Sequence, residues 1–206
     1  MRYGRGVRQD VELLQAWGDG DAQAGNELFR RHFECLFRFF STKLDGSCDD
    51  LVQETFEACL KGRDRFEGRA SFKTYMLRIA RNRLYEHYRG KHRAFSVQEH
   101  SVVDAGATPS SLLTKHERGA RLLAALRRLP LEFQMTLELF YWEGLKTEAI
   151  AEVLDVSPHT ARSRLARARE KLRGLLVVVE AIPADELATL EREADFDGWA
   201  RALRPC

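Results

Sequence analysis

No hydrophobic run in this sequence is long enough to cross a bilayer. The longest, such as Leu175–Val179, span five residues, against the ~20 that a membrane helix needs. The opening MRYGRGVRQDVELL has positive charges with no apolar stretch behind them, so no secretory leader is expected and a cytoplasmic protein is. Cysteine is scarce. Cys35, Cys48, Cys59 and Cys206 stand far apart, with no CxxC pair and no His at ligand spacing. They read as small apolar residues rather than a zinc or redox site. A glycine-rich phosphate loop, a nucleophile elbow and a metalloprotease helix are also absent. No metal, cofactor or catalytic residue is expected, and an enzyme would have only scattered His and carboxylates to work with.

Net charge is nearly absent too, at +2 from 33 basic and 31 acidic residues. That balance conceals a sorting along the chain. Leu77–Arg93 carries six Arg/Lys against one Glu, and Thr160–Arg173 again six against one. Asp49–Leu60 holds four acids and no base, and Ala181–Trp199 six acids and one Arg. Two basic helices and two acidic segments imply partners of opposite sign.

What is present is helical periodicity nearly throughout, so the fold class is all-α. Leu13, Leu14 and Trp17 begin a short helix that GDGD (Gly18–Asp21) breaks. A longer pattern from Ala22 to Leu44 carries Leu28, Phe29, Phe33, Leu36, Phe37 and Phe40. In DDLVQETFEACL, residues Leu51, Val52, Thr55, Phe56, Cys59 and Leu60 share one face, with Asp49, Asp50, Gln53, Glu54 and Glu57 opposite. A further helix from about Thr74 to Arg93 buries Leu77, Ala80, Leu84 and Tyr88. The stretch containing SVVDAGATPSS then breaks the pattern, a long connection that implies two domains. The expected organisation is an N-terminal helical bundle (1–93), a flexible linker (94–111), a C-terminal helix-turn-helix domain (112–174) and an acidic extension (175–206).

The helix-turn-helix reading rests on TEAIAEVLDVSPHTARSRLARAREKLR. Thr147–Leu154 turns Ile150, Ala151 and Leu154 inward. Ser157 suits an N-cap and Pro158 the first helical position. Asp155 occupies a turn where glycine is easier, and Asp tolerates the left-handed region better than most residues. The second helix buries Ala161, Leu165, Ala168 and Leu172. Its other faces present His159, Thr160, Arg162, Ser163, Arg164 and Arg167, small and polar groups for base edges with arginines for phosphates.

A duplex-reading helix leaves RFEGRASFKTYMLRIARN (Arg65–Asn82) unexplained, where rings, glycine and cations crowd together. Rings beside cations suit bases that have left the stack, and stacking contributes ~1–3 kcal/mol per base. Gly68 and the Ala70–Ser71 pair leave room for a flipped base. Asn82 has donors and an acceptor for a base edge. Phe66 and Phe72 equally suit core anchors. A chain with both features would grip duplex DNA at one place and opened strand at another.

DDLVQETF, RFEGRASFKTYMLRIARN, LRRLP and EAIAEVLDVSPHTARSRLARAREKLR, in this order, resemble a bacterial RNA polymerase sigma factor of the two-domain extracytoplasmic-function type. The resemblance covers about Asp10–Arg93 and Lys115–Arg173. It implies a non-enzymatic initiation factor whose partners are core RNA polymerase and promoter DNA, both duplex and melted, with an anti-sigma factor as a further partner. It assigns polymerase docking to Asp50, Leu51, Gln53, Glu54 and Phe56. Minus-ten binding falls to Phe66, Glu67, Gly68, Arg69, Ala70, Ser71, Phe72 and Tyr75 in and beside the loop. On the basic helix, Arg78, Arg81, Asn82, Arg83 and Arg89 complete that set. Minus-thirty-five binding falls to His159, Thr160, Arg162, Ser163, Arg164 and Arg167.

Three features depart from the family pattern. Tyr75 stands where a Trp is usual, and His159 where a small residue is common. Leu175–Cys206 has no counterpart in the shortest members. Its LEREADFDGWARAL segment, with Leu190, Phe196, Trp199 and Leu203, reads as a helix. That helix either screens a DNA-binding surface or packs on its own domain. A stand-alone helix-turn-helix regulator is the competing function, and the acidic helix Asp49–Leu60 speaks against it.

Overall fold

A computed structural model describes residues 9–66, 68–94, 115–178 and 193–202. Every regular element among them is helical. The chain divides into two compact units, Met1–Tyr85 and Glu86–Cys206. The division falls inside a helix that runs unbroken to Ala94.

The first unit begins with α1 (Asp10–Gly18), opened by a capping box in which Gln9 and Glu12 bond reciprocally. Asp21 then starts α2 (Ala22–Ser41), its Oδ1 accepting from the amides of Gln23 (3.0 Å) and Ala24 (3.1 Å). Gly20 at φ +101° makes the turn between them possible. Asp10 ties α1 to α2 through His32 Nε2 (2.8 Å) and Arg31 (3.0 Å). α3 (Asp49–Lys61) places Asp49 and Asp50 in its first turn, where the helix dipole favours them. A single 3-10 turn, Arg63–Arg65, leads into the loop before α4 (Phe72–Ala94). Leu13, Leu28, Leu36, Phe40, Met76 and Leu84 are buried at the centre.

In the second unit, α5 (Lys115–Arg127) stops before Pro130, which opens α6 (Leu131–Tyr141). α7 (Thr147–Leu154) and α8 (Pro158–Val178) form the helix pair, with α8 starting at Pro158 as expected and running on past Arg173 to Val178. Asp155 between them sits at φ +54°, ψ +51°, the left-handed conformation that closes α7. Ser157 caps α8, its Oγ accepting from the Thr160 amide at 3.0 Å. Ile150, Ala151, Leu154, Ala161, Leu165, Ala168 and Leu172 are all buried as expected. A last helix, α9 (Glu193–Ala202), packs on its own unit and puts Phe196 and Ala200 into the core with Leu126, Tyr141 and Leu172. Leu190, Leu203 and the Trp199 side chain lie outside the described residues, as does the linker beyond Ala94.

Candidate nucleic-acid interface

The loop ahead of α4 separates its rings into two roles. Phe72 is 2% exposed and lies against the His32 ring at 5.1 Å. It anchors the loop to the α1–α2 core, so its ring does not face an incoming base. Phe66 and Tyr75 are half-buried and pair at 4.7 Å with 31° between planes. Both rings keep part of their surface open.

The backbone around them is equally specific. Gly68 adopts φ +68° with open space around its Cα, so conformation rather than crowding requires glycine there. A side chain at Gly62 would run into the Tyr75 hydroxyl. Ser71 begins α4, its Oγ accepting from the Thr74 amide (3.1 Å) and sharing a bond with Thr74 Oγ1 (2.9 Å). It therefore shapes the loop. Arg69 is exposed and Ala70 half-buried, while Glu67 lies outside the described residues.

Along α4, Tyr75, Arg78, Asn82 and Arg89 recur at i, i+3, i+7 and i+14, a single stripe. Arg78, Asn82 and Arg89 are exposed, with Arg81 and Arg83 half-buried at the flanks. Arg81 lies 5.7 Å over the Tyr85 ring. One helix face thus runs from a ring, through an amide, to guanidinium groups of the kind that suit phosphates.

On α3, Asp50, Gln53 and Glu54 are exposed and Leu51 is half-buried. Phe56 corrects the expectation. It is 3% exposed, its ring 4.8 Å from Phe29, so it supports the acidic face from beneath. Phe29, Phe33 and Phe37 continue that ring contact along α2. Glu57 accepts from Gln53 Nε2 (3.1 Å) and pairs with Lys61 (3.5 Å). Those two contacts hold its carboxyl below the usual range and keep the face anionic. Glu54, Glu57, Lys61 and Arg83 line one open cleft, bringing this face beside the basic helix.

On α8, His159, Arg162 and Arg167 are exposed, with Thr160 and Ser163 half-buried. Thr160 Oγ1 bonds Ser157 Oγ at 2.8 Å, and Arg167 folds back on Ser163, Nε to the carbonyl at 3.2 Å. Arg164 departs from expectation. Its side chain is 14% exposed and ion-paired with Glu132 at 3.0 Å, which turns it toward α6. The sequence reading missed a cluster at the far end of this helix. Arg169 Nε donates to Tyr141 Oη (2.7 Å), which donates to Asp197 Oδ1 (2.5 Å). Burial, then the bond to Asp197, pushes the Tyr141 hydroxyl well above its ordinary pKa. The partners are 28 and 56 residues apart, and no local spacing signals such a cluster.

Comparison with known proteins bears on both units. Residues 28–94 match the family model for sigma-70 region 2, and residues 119–172 that for sigma-70 region 4. The chain is 30% identical over 178 residues to the ECF RNA polymerase sigma factor SigM of Mycobacterium tuberculosis, spanning 84% of this chain and 87% of that protein. It is 29% identical to the RNA polymerase sigma factor CarQ of Myxococcus xanthus, over 81% and 97% of the two chains. Its fold is similar to that of CnrH, solved in complex with the cytosolic domain of CnrY. There the TM-score is 0.62 at 25% identity, covering 82% of this chain and 97% of CnrH. RpoE from Bartonella quintana, solved with the anti-sigma factor NepR, shares the fold with a TM-score of 0.57 at 23% identity over 74% and 96%.

Proposed function

This chain belongs to the extracytoplasmic-function group of the sigma-70 family, and on that premise we propose how its surfaces divide the work of transcription initiation. It is a non-enzymatic factor that binds core RNA polymerase and recognises promoters. The polymerase forms the phosphodiester bonds, and binding energy drives strand opening.

Asp50, Gln53 and Glu54 offer the polymerase an anionic face, with Leu51 at its edge and Phe56 stiffening it from below. The charges steer encounter and set orientation. Phe66 and Tyr75 stack an extruded minus-ten base above the open backbone at Gly68, with Asn82 in reach of its edge. Arg78, Arg81, Arg83 and Arg89 hold phosphates along α4. In the second unit, His159, Thr160, Arg162, Ser163 and Arg167 meet the minus-thirty-five duplex, and Arg164 braces α8 against α6. The domain scheme follows: 1–93 for docking and minus-ten melting, 94–111 as linker, 112–174 for the upstream element. The work takes place where polymerase and chromosome meet, in the cytoplasm. Since CnrH and RpoE were each solved with a partner, the second a named anti-sigma factor, an anti-sigma protein is the regulator to seek.

The observation that carries this reading is the Tyr75–Arg78–Asn82–Arg89 stripe, which begins beside a ring-lined loop in a chain that also holds a duplex-reading helix pair. The test is size-exclusion chromatography with bacterial core polymerase lacking sigma, followed by permanganate probing of a duplex promoter. Stoichiometric co-elution and thymine reactivity near minus ten are expected, with reactivity lost in Phe66→Ala and Asn82→Ala. Absence of co-elution, with tight duplex binding by the chain alone, would hand the case to a stand-alone regulator.

A further inference from the structure

α9 lies beyond the region-4 match at 119–172, and it lands on one flank of the DNA-reading helix. Phe196 is fully buried, and Trp142 Nε1 donates to the Ala200 carbonyl at 3.1 Å, which fixes the register of α9. This anchoring brings Asp197 against three polar groups. It accepts from Tyr141 Oη at 2.5 Å and pairs with Arg169 at 3.3 Å and Arg201 at 3.7 Å. The side chains of Arg169 and Asp197 keep only 13% and 15% of their exposure. Arg173 lies 4.5 Å over the Phe196 ring.

Arg162, Arg169 and Arg173 stand at i, i+7 and i+11, so they share one flank of α8. Arg162 is exposed. The three span roughly 16 Å along the helix, with Arg169 also resting over the Phe140 and Tyr141 rings of α6 at 4.9 and 5.6 Å. A recognition helix meets base edges with its N-terminal residues. Phosphate contacts carry no sequence information. Cations past the base-reading end would therefore hold any duplex, in registers where His159 and Arg162 read nothing.

We propose that α9 is a charge mask and that Asp197 is a specificity-determining residue. By holding Arg169, with Phe196 under Arg173, it withdraws the far half of α8 from phosphates and confines duplex contact to the base-reading end. The proposal rests on α8 being the DNA-reading helix. It also resolves the two readings of the extension: α9 packs on its own unit and in doing so screens part of a basic surface.

The experiment is a salt series of fluorescence-anisotropy titrations, using the full chain and a random-sequence duplex. Each phosphate contact contributes about 0.9 to the slope of log affinity against log salt. Arg169→Gln should leave the slope unchanged, because that cation is already withdrawn. Asp197→Asn should steepen it by about 0.9 and raise random-duplex affinity several-fold, with helical circular dichroism unaltered. Arg167→Ala serves as control and should flatten it by about 0.9. If Arg167→Ala flattens the slope and Arg169→Gln flattens it equally, the mask is overturned while α8 remains the reading helix. An unchanged slope in a folded Asp197→Asn does the same. If Arg167→Ala has no effect, the reading of α8 falls and takes the mask with it. Should Asp197→Asn fail to fold, the Arg169→Gln arm still decides.

Discussion

At the scale of single residues, burial in the first unit has a measurable electrostatic consequence. Cys59 is fully enclosed, and desolvation pushes its thiol up to about 12 from an ordinary 9.0. Cys48 is raised as well, by burial and then by the neighbouring Asp49 carboxylate. The thiolate is the reactive species, so native Cys59 should resist iodoacetamide at neutral pH, which fits a packing role. The sign of the linkage follows. A group whose folded pKa is raised contributes stability fully below its unfolded pKa and loses it as pH climbs through the folded value. Urea unfolding should therefore be insensitive to this thiol below about pH 8. Stability should then decline as pH rises from about 9 toward 12. Cys59→Val, close in volume, should make that alkaline decline shallower. An identical decline in the variant would show that other groups cause it.

At the scale of elements, the turn between α7 and α8 decides how the reading helix is presented. Asp155 at φ +54° has one of the few side chains that accept the left-handed region. A β-branched residue there is a strong outlier, and the left-handed conformation costs it roughly 1–2 kcal/mol. Asp155→Val should lower the melting temperature of the C-terminal unit by about 4–8 °C per kcal/mol. Asp155→Gly should not lower it, since glycine adopts this conformation without strain. A drop in both variants would mean that the Asp side chain, and not the backbone, is the stabilising feature. The same element shows why so much was legible beforehand. Capping by Ser157, the start at Pro158 and the inward rows of α7 and α8 are local signals, readable from neighbours three and four apart. Phe56 was legible in part. Periodicity put it on the apolar face of α3, and only the ring of Phe29 from another helix shows that it is covered. Phe72 suited a core anchor in the sequence, though its contact with His32 comes from tertiary packing. Arg164 and Asp197 were illegible, because their roles depend on Glu132 and Arg169, partners that tertiary packing alone supplies.

At the scale of the whole molecule, a net charge near zero is the sum of surfaces that must not be averaged. α3 offers carboxylates, whereas α4 and α8 offer arginines. A single chain joining two modest DNA-binding units gains by effective concentration, because the second contact becomes intramolecular once the first is made. The separation of roles then predicts separable defects. Asp50→Lys with Glu54→Lys reverses an exposed anionic face and should weaken core-polymerase binding at least tenfold, more at low salt than at high. Binding of an upstream-element duplex by the free protein should be untouched. Arg162→Ala with Arg167→Ala should do the reverse, weakening upstream-element binding more than binding of a premelted minus-ten strand, with polymerase affinity intact. Anisotropy on the two DNA probes and competition for labelled core polymerase measure all three. Combining both pairs of changes should abolish initiation on duplex promoters while a premelted template in excess restores only the DNA-side loss, because no amount of opened strand replaces docking. If the α3 changes spare polymerase affinity, the acidic face has another partner and the assignment of Asp50 and Glu54 fails. If the α8 changes harm the premelted probe more than the duplex, the division of labour between the units is the wrong way round.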